Sequence, residues 1–159
     1  MPFDAAVLTR TLTGEIAALR VFVAVLREEQ QSLVHGELDQ LARFTEPKAK
    51  CLLDLTRLGE LRMVLLRTHN LSADRAGMEN LLREHAQNAP QTLAAWQQLL
   101  TMTADAHHLN DLNGTLIATR LRGTQQALAA LFSAARIPNA YAADGSTVAY
   151  RTSQQLAVV

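Results

Sequence analysis

Metal, proton or nucleophile chemistry has to begin with histidine, cysteine and paired carboxylates, and this chain spaces them poorly for it. The five histidines are His35, His69, His85, His107 and His108. No two lie three or four residues apart, the spacing that sets two imidazoles on one helical face. No glutamate stands three residues ahead of a histidine, so the Glu-x-x-His element of di-iron bundles is missing too. Asp105 and His108 are three apart, a single pair that chance readily supplies. The expectation is surface or seam histidines, no metal and no cofactor.

Cys51, the only cysteine, falls on an apolar stripe, where a free thiol usually acts as a small hydrophobe. It has no basic cluster or Cys-x-x-Cys context of the kind that accompanies a reactive thiol. No serine occupies a Gly-x-Ser-x-Gly elbow, and glycine-rich phosphate loops are absent. These absences argue against an enzyme. A lone cysteine also excludes an internal disulfide and suits a reducing compartment, so a cytoplasmic location is expected. Met1-Pro2-Phe3-Asp4 begins with no basic region leading into an apolar block, so no signal peptide is expected. Apolar runs such as Val21 to Leu26 are too short to span a bilayer, which speaks against stable membrane insertion.

The elements that must position these residues are helices. Hydrophobic residues make up 48% of the 159 residues but aromatics only 4%, the composition of long helices packed through Leu, Ala and Val. Basic and acidic side chains balance at 15 each, so the chain lacks the positive footprint that grips phosphate backbones, and nucleic acid is not an expected partner.

Leu8, Leu12, Ile16, Leu19, Val23, Leu26, Leu33 and Leu41 recur at helical spacing and predict a first helix over about Asp4 to Phe44. A helix of that length reaches roughly 60 Å. Gly36, inside it, costs about 1 kcal/mol relative to alanine and marks a kink or an early end. Thr45-Glu46-Pro47 punctuates the chain, with Thr45 as cap and Pro47 in a first turn. The second helix carries Cys51, Leu52, Leu55, Leu58, Leu61 and Leu65 on one side and ends near His69-Asn70. Ser72 is the expected cap of a short helix, Ala73 to His85, with Met78, Leu81 and Leu82 inward. A last long helix runs from Gln91 to about Ala135, anchored by Leu93, Trp96 and Leu100 and continued by Ile117, Leu121, Leu128 and Leu131. Pro138 stops it. The predicted fold is all-α: an elongated antiparallel three-helix coiled coil with a short connecting helix. Residues 1–137 form the helical bundle domain and residues 138–159 a flexible C-terminal tail.

Two local features stand out. Asn110, Asn113 and Gly114 fall where the seam of the last helix passes, and all three are poor helix formers. Seam asparagines fix register at a cost in stability, and the glycine admits a close neighbour; a polar notch for a ligand is the alternative. At the distal end, Leu128, Leu131, Phe132 and Ile137 crowd the last turns, with Tyr141 and Tyr150 beyond. They are either a core ending normally or an apolar groove for a partner helix followed by an aromatic anchor.

Taken in order, these features resemble the FlgN family of flagellar type III export chaperones. The likeness rests on Leu26-x-Glu28-Glu29-x-x-x-Leu33, Gly36-Glu37-Leu38-Asp39, and Lys48 ahead of Leu52, Leu55, Leu58 and Arg62. It continues through Trp96-x-x-Leu99, Asn110-x-x-Asn113-Gly114 and Tyr141-x-x-Asp144-Gly145. The resemblance implies a chaperone that binds the C-terminal helices of hook-associated proteins, keeps them unassembled and brings them to the export gate. Tyr141 matches the family tyrosine that contacts the gate's cytosolic domain. A coiled-coil adaptor without chaperone activity is the alternative.

Overall fold

The computed structural model describes residues 4–85 and 89–135. Asp4 starts α1 (Ala5–His35) by accepting hydrogen bonds from the Ala6 and Val7 amides at 2.9 and 3.3 Å, the ordinary role of an N-cap carboxylate. The helix ends at Gly36, which takes a left-handed φ of 77°. The Gly36 amide then donates to the Leu33 carbonyl and the Glu37 amide to the Ser32 carbonyl, a Schellman closure. The first helix is therefore shorter than the periodicity predicts. Residues Leu38–Phe44 form a separate 3-10 helix instead, which buries Phe44 and leaves Leu41 half-buried.

Helix α2 (Thr45–Thr68) holds Pro47 in its first turn, where the missing N–H is harmless. Thr45 is the first helical residue rather than the cap, and the Phe44 side chain caps nothing. At the far end Asn70 adopts a φ of 57°, and the Asn70 and Leu71 amides close a second Schellman motif on the Arg67 and Leu66 carbonyls. In α3 (Arg75–His85) the cap is Asp74, not Ser72. The Asp74 carboxylate accepts from the Gly77 amide at 2.8 Å, and the Ser72 hydroxyl donates to it at 2.7 Å. A Cβ at Gly77 would collide with the Ser72 carbonyl, so this turn accepts only glycine there. Helix α4 runs Pro90–Ala134.

Chain contacts divide the molecule into residues 1–115 and residues 116–159. In the first unit α1 and α2 are antiparallel. Lys48 meets Glu29 at 3.0 Å, and Arg62 meets Glu15 at 2.8 Å. The first part of α4 runs parallel to α1, since the Thr9 and Thr92 hydroxyls pair at 2.7 Å while Asn113 Nδ2 reaches the Leu26 carbonyl at 2.8 Å. This is an up-down-up arrangement of three helices, with α3 adding Met78, Leu81 and Leu82 to the same core. That core is otherwise Leu8, Leu12, Ile16, Leu19, Phe22 and Leu26 of α1, Cys51 and Leu66 of α2, and Trp96, Leu99 and Ala106 of α4. Burying each large aliphatic contributes about 1.5–3 kcal/mol, so the seam supplies the stability.

Two polar layers interrupt it. Glu29, 5% exposed, accepts from Lys48 Nζ with both carboxylate oxygens and from Asn113 Nδ2 with one, at 2.9 Å for the latter. Fourteen residues earlier on α1, Glu15 accepts from Arg62, whose guanidinium also lies over the Trp96 ring at 5.2 Å. Each layer joins α1, α2 and α4. Leaving a buried carboxylate without its cation is far more harmful than replacing the whole pair by apolar groups. Lys48→Met is therefore expected to destabilise the chain by about 2–3 kcal/mol, and Glu29→Met/Lys48→Met to recover most of that; urea unfolding of the two variants measures both.

The α3 cap makes a second prediction. The Gly77 amide, then the Ser72 hydroxyl, hold the Asp74 carboxyl below its ordinary value of 3.8. A depressed pKa in the folded state means that the cap's contribution is complete above pH 3.8 and disappears as the pH falls through the lower folded value. The protection of the Gly77 amide, relative to its intrinsic exchange rate at each pH, should fall over that acid range in the native protein. In Asp74→Ala that protection should be low and independent of pH.

Candidate functional site

The described part of the second unit is residues 116–135, of which 116–134 belong to α4. Ile117, Leu121, Thr124, Leu128 and Leu131 follow one another at steps of four, three, four and three. That is the heptad rhythm of a coiled-coil seam, which sets its knobs on one side of the helix. Leu121, Leu128 and Leu131 are nonetheless 57%, 46% and 61% exposed, and Ile117 is exposed as well. Phe132 is half-buried. The sequence assigns Ile117 and Leu121 to the buried seam; the structure places them in the open stripe. They were missed as site residues because periodicity marks a face without saying what covers it.

The rest of this stretch favours the helix itself. Ala118, Ala127, Ala129, Ala130 and Ala134 fill positions off the stripe, and alanine is the strongest helix former. Leu128, Leu131 and Phe132 lie together on the last turns, while Ile137 and Tyr141 lie outside the described residues. The expected boundary between residues 137 and 138 lies outside them too.

The seam residues of α4 separate. Asn113 is fully buried and bonded as described, with no partner for its Oδ1 among the described residues. Asn110 is exposed, so it does not sit on the seam. Nothing lies within 4 Å of a Cβ placed at Gly114, so that glycine answers no close approach among the described residues. Upstream, Thr92, Trp96, Leu99 and Ala106 are the buried positions, with Leu93 and Leu100 at the margin. On α2 the exposed residues include Leu52 and Leu61, both expected inward, and the fully buried Leu66 takes the place that Leu65 was expected to hold.

Grooves among the described residues of the first unit include the following two. One of about 360 Å³ lies between α3 and α4 over Leu82, Leu93, Trp96 and Leu100, with Arg75 and Arg83 among its walls. Those cations are already engaged, Arg75 by Glu79 at 2.6 Å and Arg83 by Asn80 at 3.3 Å. The other, about 350 Å³ between α1 and α4, is lined by Thr13, Ala17, Arg20, Ala94 and Gln98 among others. His107 pairs with Asp111 at 2.9 Å on an exposed face, and no group of three or more metal-binding side chains occurs among the described residues. No helix of the described residues is long and apolar enough to cross a membrane.

Comparison with known proteins adds the biological context. Residues 1–149 match the FlgN family, described as FlgN protein. A similar relative is the "Flagella synthesis protein FlgN" of Proteus mirabilis, 29% identical over 140 residues, which cover 87% of this chain and 88% of the relative. No solved structure matches the chain. With almost its whole length matched and an all-helical fold, the chain belongs to the FlgN family of flagellar proteins.

Proposed function

We propose that this protein is a cytoplasmic flagellar export chaperone. It holds the C-terminal helices of hook-associated proteins on the last turns of α4, keeps them unassembled, and delivers them to the cytosolic domain of the flagellar type III export gate. The observation that carries the reading is the exposed heptad stripe on a chain of a flagellar family. A client helix that folds on binding needs a preformed apolar face, and ordering it consumes part of the contact energy, which keeps the complex reversible. Leu128, Leu131, Phe132 and Ile137 form the client contact in this reading, and Tyr141 the gate contact. No catalytic step, metal or cofactor is part of it.

Truncating a desolvated leucine typically weakens an interface by about 2 kcal/mol, or roughly thirtyfold. Leu128→Ala/Leu131→Ala should therefore lose at least that factor in affinity for a peptide copying a hook-associated protein's C-terminus, read by calorimetry. Its circular dichroism should keep the native helix content. Unchanged affinity would remove the client from this stripe.

The tail makes a separate claim. A tyrosine offers large area and few rotors, so one ring can dominate a weak contact. Tyr141→Ala is expected to bind client peptide normally in solution while secretion of hook-associated proteins and motility fall. Tyr150→Ala, outside the Tyr-x-x-Asp-Gly element, should leave both intact. A Tyr141→Ala protein that secretes like the wild type would dismiss the gate role.

A further inference from the structure

The neutral total conceals a division of charge along the chain. Residues 1–111 hold eleven Lys and Arg against fourteen Asp and Glu, a net charge of −3 with histidine neutral. Residues 112–159 hold four arginines against one acid, Asp144, a net charge of +3. Within residues 116–134 the only ionisable side chains are Arg120 and Arg122, and both are exposed. Arg120 follows Ile117 by three residues and precedes Thr124 by four, which sets it along one edge of the stripe.

We infer that the stripe of Ile117, Leu121, Leu128 and Leu131 selects an acidic amphipathic helix: apolar residues at heptad spacing, flanked by glutamate and aspartate. The inference rests on the client reading above and names the charge class of helix that the site prefers. Apolar contact supplies affinity in such a pairing, while complementary charge supplies encounter rate and rejects wrong partners. The negative charge of residues 1–111 works in the same direction, because it disfavours an acidic helix on the remainder of the protein.

Two other occupants fit less well. A second copy of this chain would bring positive charge against positive charge. Helices that lie on anionic membranes carry Lys and Arg across their polar face and bulky aromatics at its border. Here the positions off the stripe are mostly Ala, Thr119, Gln126 and Ser133.

Three synthetic peptides with one leucine heptad face test this on the full-length protein, their flanking positions being all Glu, all Gln or all Lys. At about 50 mM salt the Glu peptide should bind about tenfold tighter than the Gln peptide, with the Lys peptide weakest, and the differences should shrink at about 0.5 M, where the screening length falls to about 4 Å. Arg120→Glu/Arg122→Glu should invert the Glu and Lys peptides and leave the Gln peptide within about threefold. Equal binding of Glu and Gln peptides would overturn the charge preference while the client site stands. No binding by any peptide, or binding indifferent to Leu128→Ala/Leu131→Ala, would overturn both. Phosphatidylglycerol vesicles binding tighter than the Glu peptide would assign the face to membrane and also overturn the inference.

Discussion

A carboxylate buried among leucines has to be met by a cation and by donors, and Glu29 is that constraint here. Lys48 of α2 supplies the charge and Asn113 of α4 the second donor, so three helices must arrive together for one side chain to be tolerated. Glu15 and Arg62 repeat the demand fourteen residues away on both α1 and α2. The apolar seam cannot set register alone, because a slip of one heptad returns leucines to leucines. Such a slip would set Glu15 opposite Leu55 or His69, and Glu29 opposite Leu41 or Leu55. Both acids would then be buried without a lysine or arginine, a penalty of several kcal/mol each that outweighs any gain from one more leucine. The leucines hold the helices together and the acids decide how they align.

This division explains what the sequence made legible. Local chemistry reads well in part: Gly36 as a stop, the end near His69-Asn70 and Pro47 in a first turn each act through their own backbone, whereas the caps expected at Thr45 and Ser72 fall one and two residues away. The α1 stripe reads well because Arg10, Arg20, Arg27 and Glu28 fall outside it and are exposed. Helix α2 does not, since Leu52, Leu53, Leu55, Leu58, Leu61, Leu65 and Leu66 surround the helix and several phases fit equally. What fixes the phase is the pairing of Lys48 and Arg62 with α1, which turns Cys51, Gly59 and Leu66 inward and leaves Leu52 and Leu61 half in water. That is a non-local fact. Glu15 and Glu29 are hidden for the same reason, because an acid beside a stripe looks solvated until its partner is in place.

The candidate site shows the same limit from the other side. The heptad steps from Ile117 to Leu131 predict a helix face that wants a partner, and the helix is there. Whether that partner is another part of the chain or another molecule is not written in periodicity. Exposure of Leu121, Leu128 and Leu131 shows only that the described residues do not cover that face. Asn110 and Asn113 make the contrast at single-residue scale: both are helix-weakening asparagines three apart, yet only Asn113 reaches a buried acid.

An exposed stripe must also hold its shape while empty. Residues 116–134 continue a helix whose earlier turns are packed, so nucleation is already met, but propagation without packing is only marginally favourable in water. The alanines at 118, 127, 129, 130 and 134 counter this with high propensity and no rotamer entropy to lose. A stripe organised in advance spares an incoming helix the ordering of both surfaces. Four aliphatic side chains, at about 1.5–3 kcal/mol each, bring roughly 6–12 kcal/mol of burial. The loss of free motion on association takes back at least about 4 kcal/mol, and ordering the incoming segment takes more. The remainder corresponds to binding no tighter than about micromolar. In the proposed reading, a contact of that strength would be reversible without an external energy source.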